Sequence, residues 1–385
     1  KINFNNLLMK KKKTIALIAT TASTINAFML KNIEKLSKYF NLLIFCNDAI
    51  SLKKIVPENV LLINIKFTRK PNLIIDLTTF LILLYFLIKN KPYLTISITP
   101  KAGFLTALSS FIARTPCRLH WFTGQIWVTR KGFFRFIYKI LDQIIFNLSH
   151  HVLVDSHSQK NFLISNNVIS KNRSTVLLHG SVGGVNIKKF IYKKTNRNLL
   201  RRKLKISKND FTFLYLGRIN KDKGIINLIE AFKKIKRPYK PFLVLVGPIE
   251  NDYIKNYINK NKKVIYVGET LTPEKWFSIA DILCLPSHRE GFGSVVIEAG
   301  SCNLPTLGSN IYGITDAIVE NQTGFLHKVG SISDIKKKMV LVIRNKKLLK
   351  KYGQRARKRV EKNFEENLIS KKFLEFINSI VNKKL

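Results

Sequence analysis

The chain has 385 residues, enough for two domains of ordinary size, and a hydrophobic share of 46% can fill large cores. Lysine and arginine number 67 against 23 aspartates and glutamates, a formal charge of +44. That balance points to an anionic partner, and the lack of Ser/Pro-rich or long charged tracts excludes a disordered chain.

The basic excess is spread over both halves and accompanies abundant Asn and Ile, so compositional bias also explains it. Among functional readings, attraction to a membrane surface is favoured. The cysteines Cys46, Cys117, Cys284 and Cys302 are isolated, with no Cys-x-x-Cys or Cys/His spacing suited to zinc. Buried free thiols in a reducing cytoplasm are expected.

Residues 14–20 form the first apolar run. With Lys10–Lys13 before it, the run imitates a signal peptide, but a parallel sheet needs it as a first buried strand. Further strands are expected at 42–46, 60–65, 94–98, 118–122, 151–154 and 175–178. Between them, residues 72–88 are almost wholly apolar. They fall short of about 20 apolar residues and carry Asp76, so a buried or interfacial helix is expected rather than a span. Residues 187–210 break the pattern, being rich in Lys, Arg and Asn. It restarts with strands at 211–216, 242–246, 264–267, 281–285 and 305–307 and helices at 225–234 and 274–280. Such alternation predicts βαβ units and two doubly wound α/β domains, at 1–190 and 191–364, with a last helical segment at 365–385 packing back on the first. Ligands of such sheets bind at the carboxyl ends of strands.

Two stretches carry chemistry. In S-H-R-E-G-F-G-S-V-V-I-E-A-G at 287–300, Gly291 and Gly293 permit a tight turn after a strand. Ser294 reads as an N-cap, so the amides from Phe292 onward form an anion site at a helix start. Glu298 lies about 6 Å further along the helix, the step from a pyrophosphate to its ribose, and Glu290 stands on the other side of the turn. No third glycine completes a dinucleotide fingerprint, so a plain strand-turn-helix stays open. In L-G-R-I-N-K-D-K-G at 216–224, Arg218 and Lys223 can clamp a diphosphate and stabilise it as it leaves, or can be two surface cations.

Taken together, G-R-x-x-x-x-K-G and, about 70 residues later, E-G-F-G-x-x-x-x-E resemble retaining glycosyltransferases of the GT-B fold, family 4. The resemblance extends over nearly the whole chain. It takes in A-D-I-L-C-L-P-S at 280–287, P-T-L-G-S at 305–309 and E-N-Q-T-G-F-L at 320–326. K-A-G-F-L-T-A-L at 101–108, H-W-F-T-G-Q-I-W-V-T-R-K-G at 120–132, L-V-D-S-H-S-Q at 153–159 and H-G-S-V-G-G-V-N at 179–186 resemble capsule and lipopolysaccharide members. The resemblance implies that Arg218 and Lys223 hold the donor diphosphate. Glu298 would bind the ribose and Glu290 the sugar, with amides of Phe292, Gly293 and Ser294 on phosphate oxygens and Gly268 on the donor side. It also implies no metal or other cofactor, and no Asp-x-Asp occurs in the chain.

Two departures stand out. Thr123 occupies the place where many members carry a histidine before a glycine, and T-T-A-S-T-I-N replaces the usual glycine-rich loop after the first strand. His120 is a catalytic candidate or a packed strand histidine; in an extended segment it points away from the face of Thr123. Thr123 and His179 are acceptor-side candidates. Residues 125–139 interleave Trp127, Phe133, Phe134, Phe136 and Tyr138 with Arg130, Lys131, Arg135 and Lys139. That composition suits an interfacial helix at an anionic membrane, nucleic acid, or an amphipathic core helix.

The expected protein is thus a cytoplasmic glycosyltransferase, peripheral on the inner face of the cell membrane. It would move an N-acetylhexosamine or related sugar from a UDP-sugar to a polyprenyl-diphosphate-linked saccharide in capsule, O-antigen or glycan synthesis. A UDP-sugar epimerase on the same scaffold is the alternative, and a basic nucleic-acid-binding protein a weaker one.

Overall fold

The structure, a computed structural model, describes residues 12–68, 71–181, 183–259 and 263–382. Lys10 and Lys11 of the signal-like stretch, and 383–385 of the last helical segment, lie outside them.

The first sheet holds β1 (Thr14–Thr21), β2 (Asn41–Asn47), β3 (Val60–Asn64), β4 (Leu94–Ile98), β5 (Cys117–Phe122), β6 (His151–Val154) and β7 (Ser174–Thr175) in the order β3-β2-β1-β4-β5-β6-β7. β1 pairs in parallel with β2 and β4, and its middle is fully buried, so the 14–20 run is a central strand. The second sheet holds β8 (Thr212–Leu216), β9 (Phe242–Val246), β10 (Val264–Gly268), β11 (Ile282–Leu285), β12 (Thr306–Ser309) and β13 (Gly324–His327), all parallel, in the order β10-β9-β8-β11-β12-β13. Strands covered on both faces read as continuous apolar runs, as F-L-V-L-V of β9 does. Each fully buried Val, Leu or Ile contributes about 1.5–3 kcal/mol.

The chain forms two compact units. One is built from residues up to Trp121, Asp142–Val152 and Phe373 onward; the other from Phe122–Leu141 and Leu153–Lys372. The first buries Ala16, Ile18, Leu43 and Phe45 of the sheet under Leu83, Leu87, Ala102 and Leu105. The end of helix Glu366–Asn382 belongs to this unit: Phe373 stacks on Trp121 with centroids 5.9 Å apart, and Lys13 Nζ donates to the Val381 carbonyl at 2.8 Å. The second unit buries the strands β8, β9 and β11 around Phe213, Val244 and Leu283. All four cysteines are buried and free.

Several elements depart from what the sequence predicts. β7 is two residues long rather than four, and β13 was not expected. The 187–210 break contains helix Lys194–Lys203, whose one buried residue is Arg201. Its guanidinium donates to the carbonyls of Ile279, Ser207 and Asp210 and to Thr212 Oγ1, while Arg197 bonds Asp281 at 3.0 Å. Guanidinium-to-carbonyl bonds anchor this helix instead of an apolar stripe, so hydrophobic periodicity is silent about it.

Helix Leu73–Asn90 is not the buried helix allowed for residues 72–88. Only Thr79, Leu83 and Leu87 are buried. Among the described residues it is the one helix long and apolar enough, by length and composition, to cross a membrane. Asp76 pairs with Lys101 at 2.6 Å.

Candidate active site

The turn after β8 and the loop after β11 meet in the second unit. Gly224 ends the turn at φ +66°, and a Cβ there would lie 2.1 Å from the Pro286 carbonyl oxygen. Only glycine allows both the backbone angle and the approach. The turn therefore presses against the loop. His288 N donates to the Asp222 carbonyl at 2.8 Å, and Arg289 Nε pairs with Asp222 Oδ2 at 2.9 Å. Lys223 Nζ reaches Glu290 Oε1 at 2.5 Å, and Ser287 Oγ donates to the same oxygen at 2.8 Å. Both charged side chains are largely buried, a setting in which a charge-assisted bond is strong.

The two stretches singled out in the sequence thus form one cluster, with one exception. Arg218 is half-exposed and pairs with Glu250 Oε1 at 3.1 Å, beside Asn220, which donates to Glu250 Oε2. Tyr215 Oη donates to the Arg218 carbonyl at 2.6 Å. Gly268 ends β10 at φ +95°, its carbonyl accepting from Gly247 N at 2.8 Å.

Helix Ser294–Ser301 starts one residue earlier than the capping pattern predicts. Its N-cap is Gly293, left-handed at φ +65°, and Ser294 is the first helical residue. No side chain caps this helix, because glycine offers no oxygen. First-turn amides without a side-chain acceptor, backed by the helix dipole, suit an anion. Phe292 is buried against Phe364, centroids 5.3 Å apart, which fixes the loop beneath the helix start. Burial pushes the Glu298 carboxyl up to about 7; Lys189 opposes the rise and Glu274 adds to it. Glu274 Oε2 is buried without a hydrogen bond, 3.9 Å from Lys189 Nζ.

The Glu290–Gly291 peptide is held by residues to which the sequence assigns no role. A Cβ on Gly124 would meet Gly291 N at 3.2 Å, and one on Gly291 would meet Asp155 Oδ2 at 2.1 Å. Ser156 Oγ donates to the Gly291 carbonyl at 3.0 Å, and Arg289 Nη1 to the Gly124 carbonyl at 3.3 Å. Asp316 accepts from the amides of His157 and Ser158 and from Ser158 Oγ, which in turn accepts from Gly313 N at 2.8 Å. No spacing rule connects 124, 155–158 and 316, so only the fold reveals the clamp.

Thr123 lies next to Gly124 and hence beside this loop. Its carbonyl accepts from Gln125 Nε2 at 2.7 Å and Gln159 Nε2 at 2.6 Å. His179 is exposed, edge-on to Phe364. His120 takes the other reading left open for it. It is 2% exposed in β5, its Nδ1 lies 2.8 Å from Ser97 Oγ, and its ring fills the space a Cβ on Gly103 would need. Burial holds its imidazole down to about 3 and therefore neutral. This is a packed strand histidine. Among the described residues, no cluster of three or more His, Cys, Asp or Glu is placed to bind a metal.

Two parallel-sheet α/β units, with a cation, a carboxylate and an uncapped helix start at strand ends, have the architecture of the GT-B fold. Residues 196–359 match the family described as Glycosyl transferases group 1. The capsular polysaccharide biosynthesis glycosyltransferase CapM of Staphylococcus aureus is 30% identical over 384 residues, 97% of this chain and 99% of that protein. The chain belongs to this group 1 glycosyltransferase family. An Escherichia coli UDP-Gal:alpha-D-GlcNAc-diphosphoundecaprenol alpha-1,3-galactosyltransferase is 25% identical over 362 residues, 90% of this chain and 91% of that one. In fold the chain resembles Anabaena HepE, crystallised with UDP and glucose, at a TM-score of 0.79 and 18% identity, covering 95% of this chain and all of that one.

Proposed function

We propose that this transferase is a retaining, family 4 enzyme. It moves a sugar, an N-acetylhexosamine or a relative, from a UDP-sugar to a polyprenyl-diphosphate-linked saccharide at the cytoplasmic face of the membrane. The contact between Lys223 and Glu290 beside the Ser294 helix start carries the reading. A diphosphate at the helix amides would draw Lys223 to its oxygens, freeing Glu290 for sugar hydroxyls, with Arg218 turning in from the exposed side. Glu298 would accept from the ribose. The bond from the anomeric carbon to the diphosphate oxygen breaks while the acceptor oxygen bonds the same face of that carbon. The acceptor proton passes to the departing diphosphate, whose charge Lys223 and the amides stabilise. No metal is assigned a part. The capsule enzyme and the undecaprenol-linked galactosyltransferase among the relatives support the lipid-linked acceptor, and UDP in the HepE crystals supports the donor base. The exposed Phe133, Phe134 and Phe136 beside Arg130 and Lys131 fit the membrane surface.

The test is incubation with UDP-, GDP- and ADP-sugars, with and without a polyprenyl-diphosphate saccharide, the product's anomeric configuration being read by NMR. A retained linkage formed from a UDP-sugar only when acceptor is present is expected. A changed sugar without acceptor would instead indicate an epimerase.

A further inference from the structure

Helix Leu73–Asn90 is built inside out for a helix on the surface of a water-soluble unit. Leu73, Ile74, Leu77, Leu81, Tyr85 and Ile88 are all exposed, Leu73 at 90% and Ile74 at 77%. At 3.6 residues per turn they fall within an arc of about 120°, which holds no charged residue. The opposite side is occupied: Leu83 and Leu87 are buried in the core of the first unit with Ala102 and Leu105 of helix Pro100–Ile112. With that flank packed over the parallel sheet of the first unit, the helix suits lying in a bilayer surface.

Charge decides what covers the bare flank. From residue 64 to residue 101 six cations stand against one acid, and that acid, Asp76, pairs with Lys101. Lys89 and Lys91, at the C-terminal end of the helix, are exposed, as is Lys66, whose carbonyl accepts from Thr79 Oγ1. An apolar strip bordered by cations matches acyl chains bordered by anionic headgroups. A second copy of the chain would bring the same cations against these and be repelled.

We infer that the exposed flank of helix Leu73–Asn90 inserts into the surface of an anionic bilayer and holds the first unit there. This deepens the proposed use of a lipid-linked acceptor and rests on it for its purpose, though not for its test. The full chain is floated with phosphatidylcholine vesicles and with vesicles containing one quarter phosphatidylglycerol. The triple variant L77Q/L81Q/I88Q, altered only at exposed positions, is compared with it. Binding to the anionic vesicles, at least tenfold weaker in the variant, is expected; equal binding overturns the inference. Y85W supplies a second reading that does not depend on the triple variant folding. A blue shift of its emission with anionic vesicles is expected, and no shift overturns the inference. A wild-type dimer in light scattering that the triple variant dissolves, without vesicle binding, also overturns it, assigning the flank to a second copy. UDP-sugar thermal shifts are run alongside: their absence with vesicle binding intact would fault the donor reading and leave the surface standing.

Discussion

Lys223 and Glu290 stand 67 positions apart in sequence, yet Nζ lies 2.5 Å from Oε1, and Ser287 donates to the same carboxylate oxygen. Neither partner is well solvated, so each depends on the other until a substrate separates them. Removing one leaves the other charge poorly compensated. Lys223→Ala is expected to cost about 1–3 kcal/mol of stability and to lower kcat/KM by roughly 10²–10³, the loss typical of one stabilising group on a leaving charge. Urea midpoints and steady-state rates check the two parts, and a double-mutant cycle with Glu290→Ala should show strong coupling.

Gly224 makes that contact possible. Gly224→Ala would set a Cβ 2.1 Å from the Pro286 oxygen at a φ of +66°. A loss of roughly 1–3 kcal/mol is expected from the backbone angle, with weaker donor binding because the turn must lift from the loop. Denaturant titration and calorimetry with UDP-sugar measure both. A stable variant with unchanged donor affinity would show that the turn is not what joins the two stretches.

Glu298 should make stability depend on pH. Its folded-state pKa, about 7, lies above the ordinary 4.5, so the folded protein holds a proton the unfolded chain has released. The stabilisation is fully present below the unfolded value and is lost as pH rises through about 7. The melting temperature of the free enzyme should therefore fall between pH 5 and 8 more than that of Glu298→Gln. Parallel curves for the two proteins would contradict the burial of this carboxylate.

Asp316 is expected to act at a distance. It caps helix His157–Ser165 through two amides, and the same segment holds the Gly291 carbonyl through Ser156. Asp316→Ala should cost about 1–2 kcal/mol, as lost caps do, and reduce kcat more than KM for the donor. Asp316→Asn, which keeps one acceptor oxygen, should recover part of both.

Strands were legible where both faces are buried. Residues 94–98, 151–154 and 242–246 read as strands to the residue, because a parallel core strand is a short apolar run with polar ends. Helix Lys194–Lys203 was invisible because arginine bonds to carbonyls hold it. Glu290, Lys223 and the glycines around them were legible because tight turns and charge clamps demand particular residue types at fixed spacing. The Ser294 cap was misplaced by one residue, since a left-handed glycine can begin a helix without an oxygen. His120 could not be decided from sequence, where a buried strand histidine and a catalytic one look alike. Asp155 against Gly291 and Ser158 on Asp316 were beyond reach, both contacts being purely tertiary.

The most direct test is the rate of sugar transfer from a UDP-sugar to a polyprenyl-diphosphate saccharide by Glu290→Ala beside wild type, each confirmed folded by its melting curve. Turnover should fall by about 10²-fold or more. A folded Glu290→Ala enzyme that turns over at nearly the wild-type rate would contradict the assignment of the Lys223 and Glu290 cluster as the donor site.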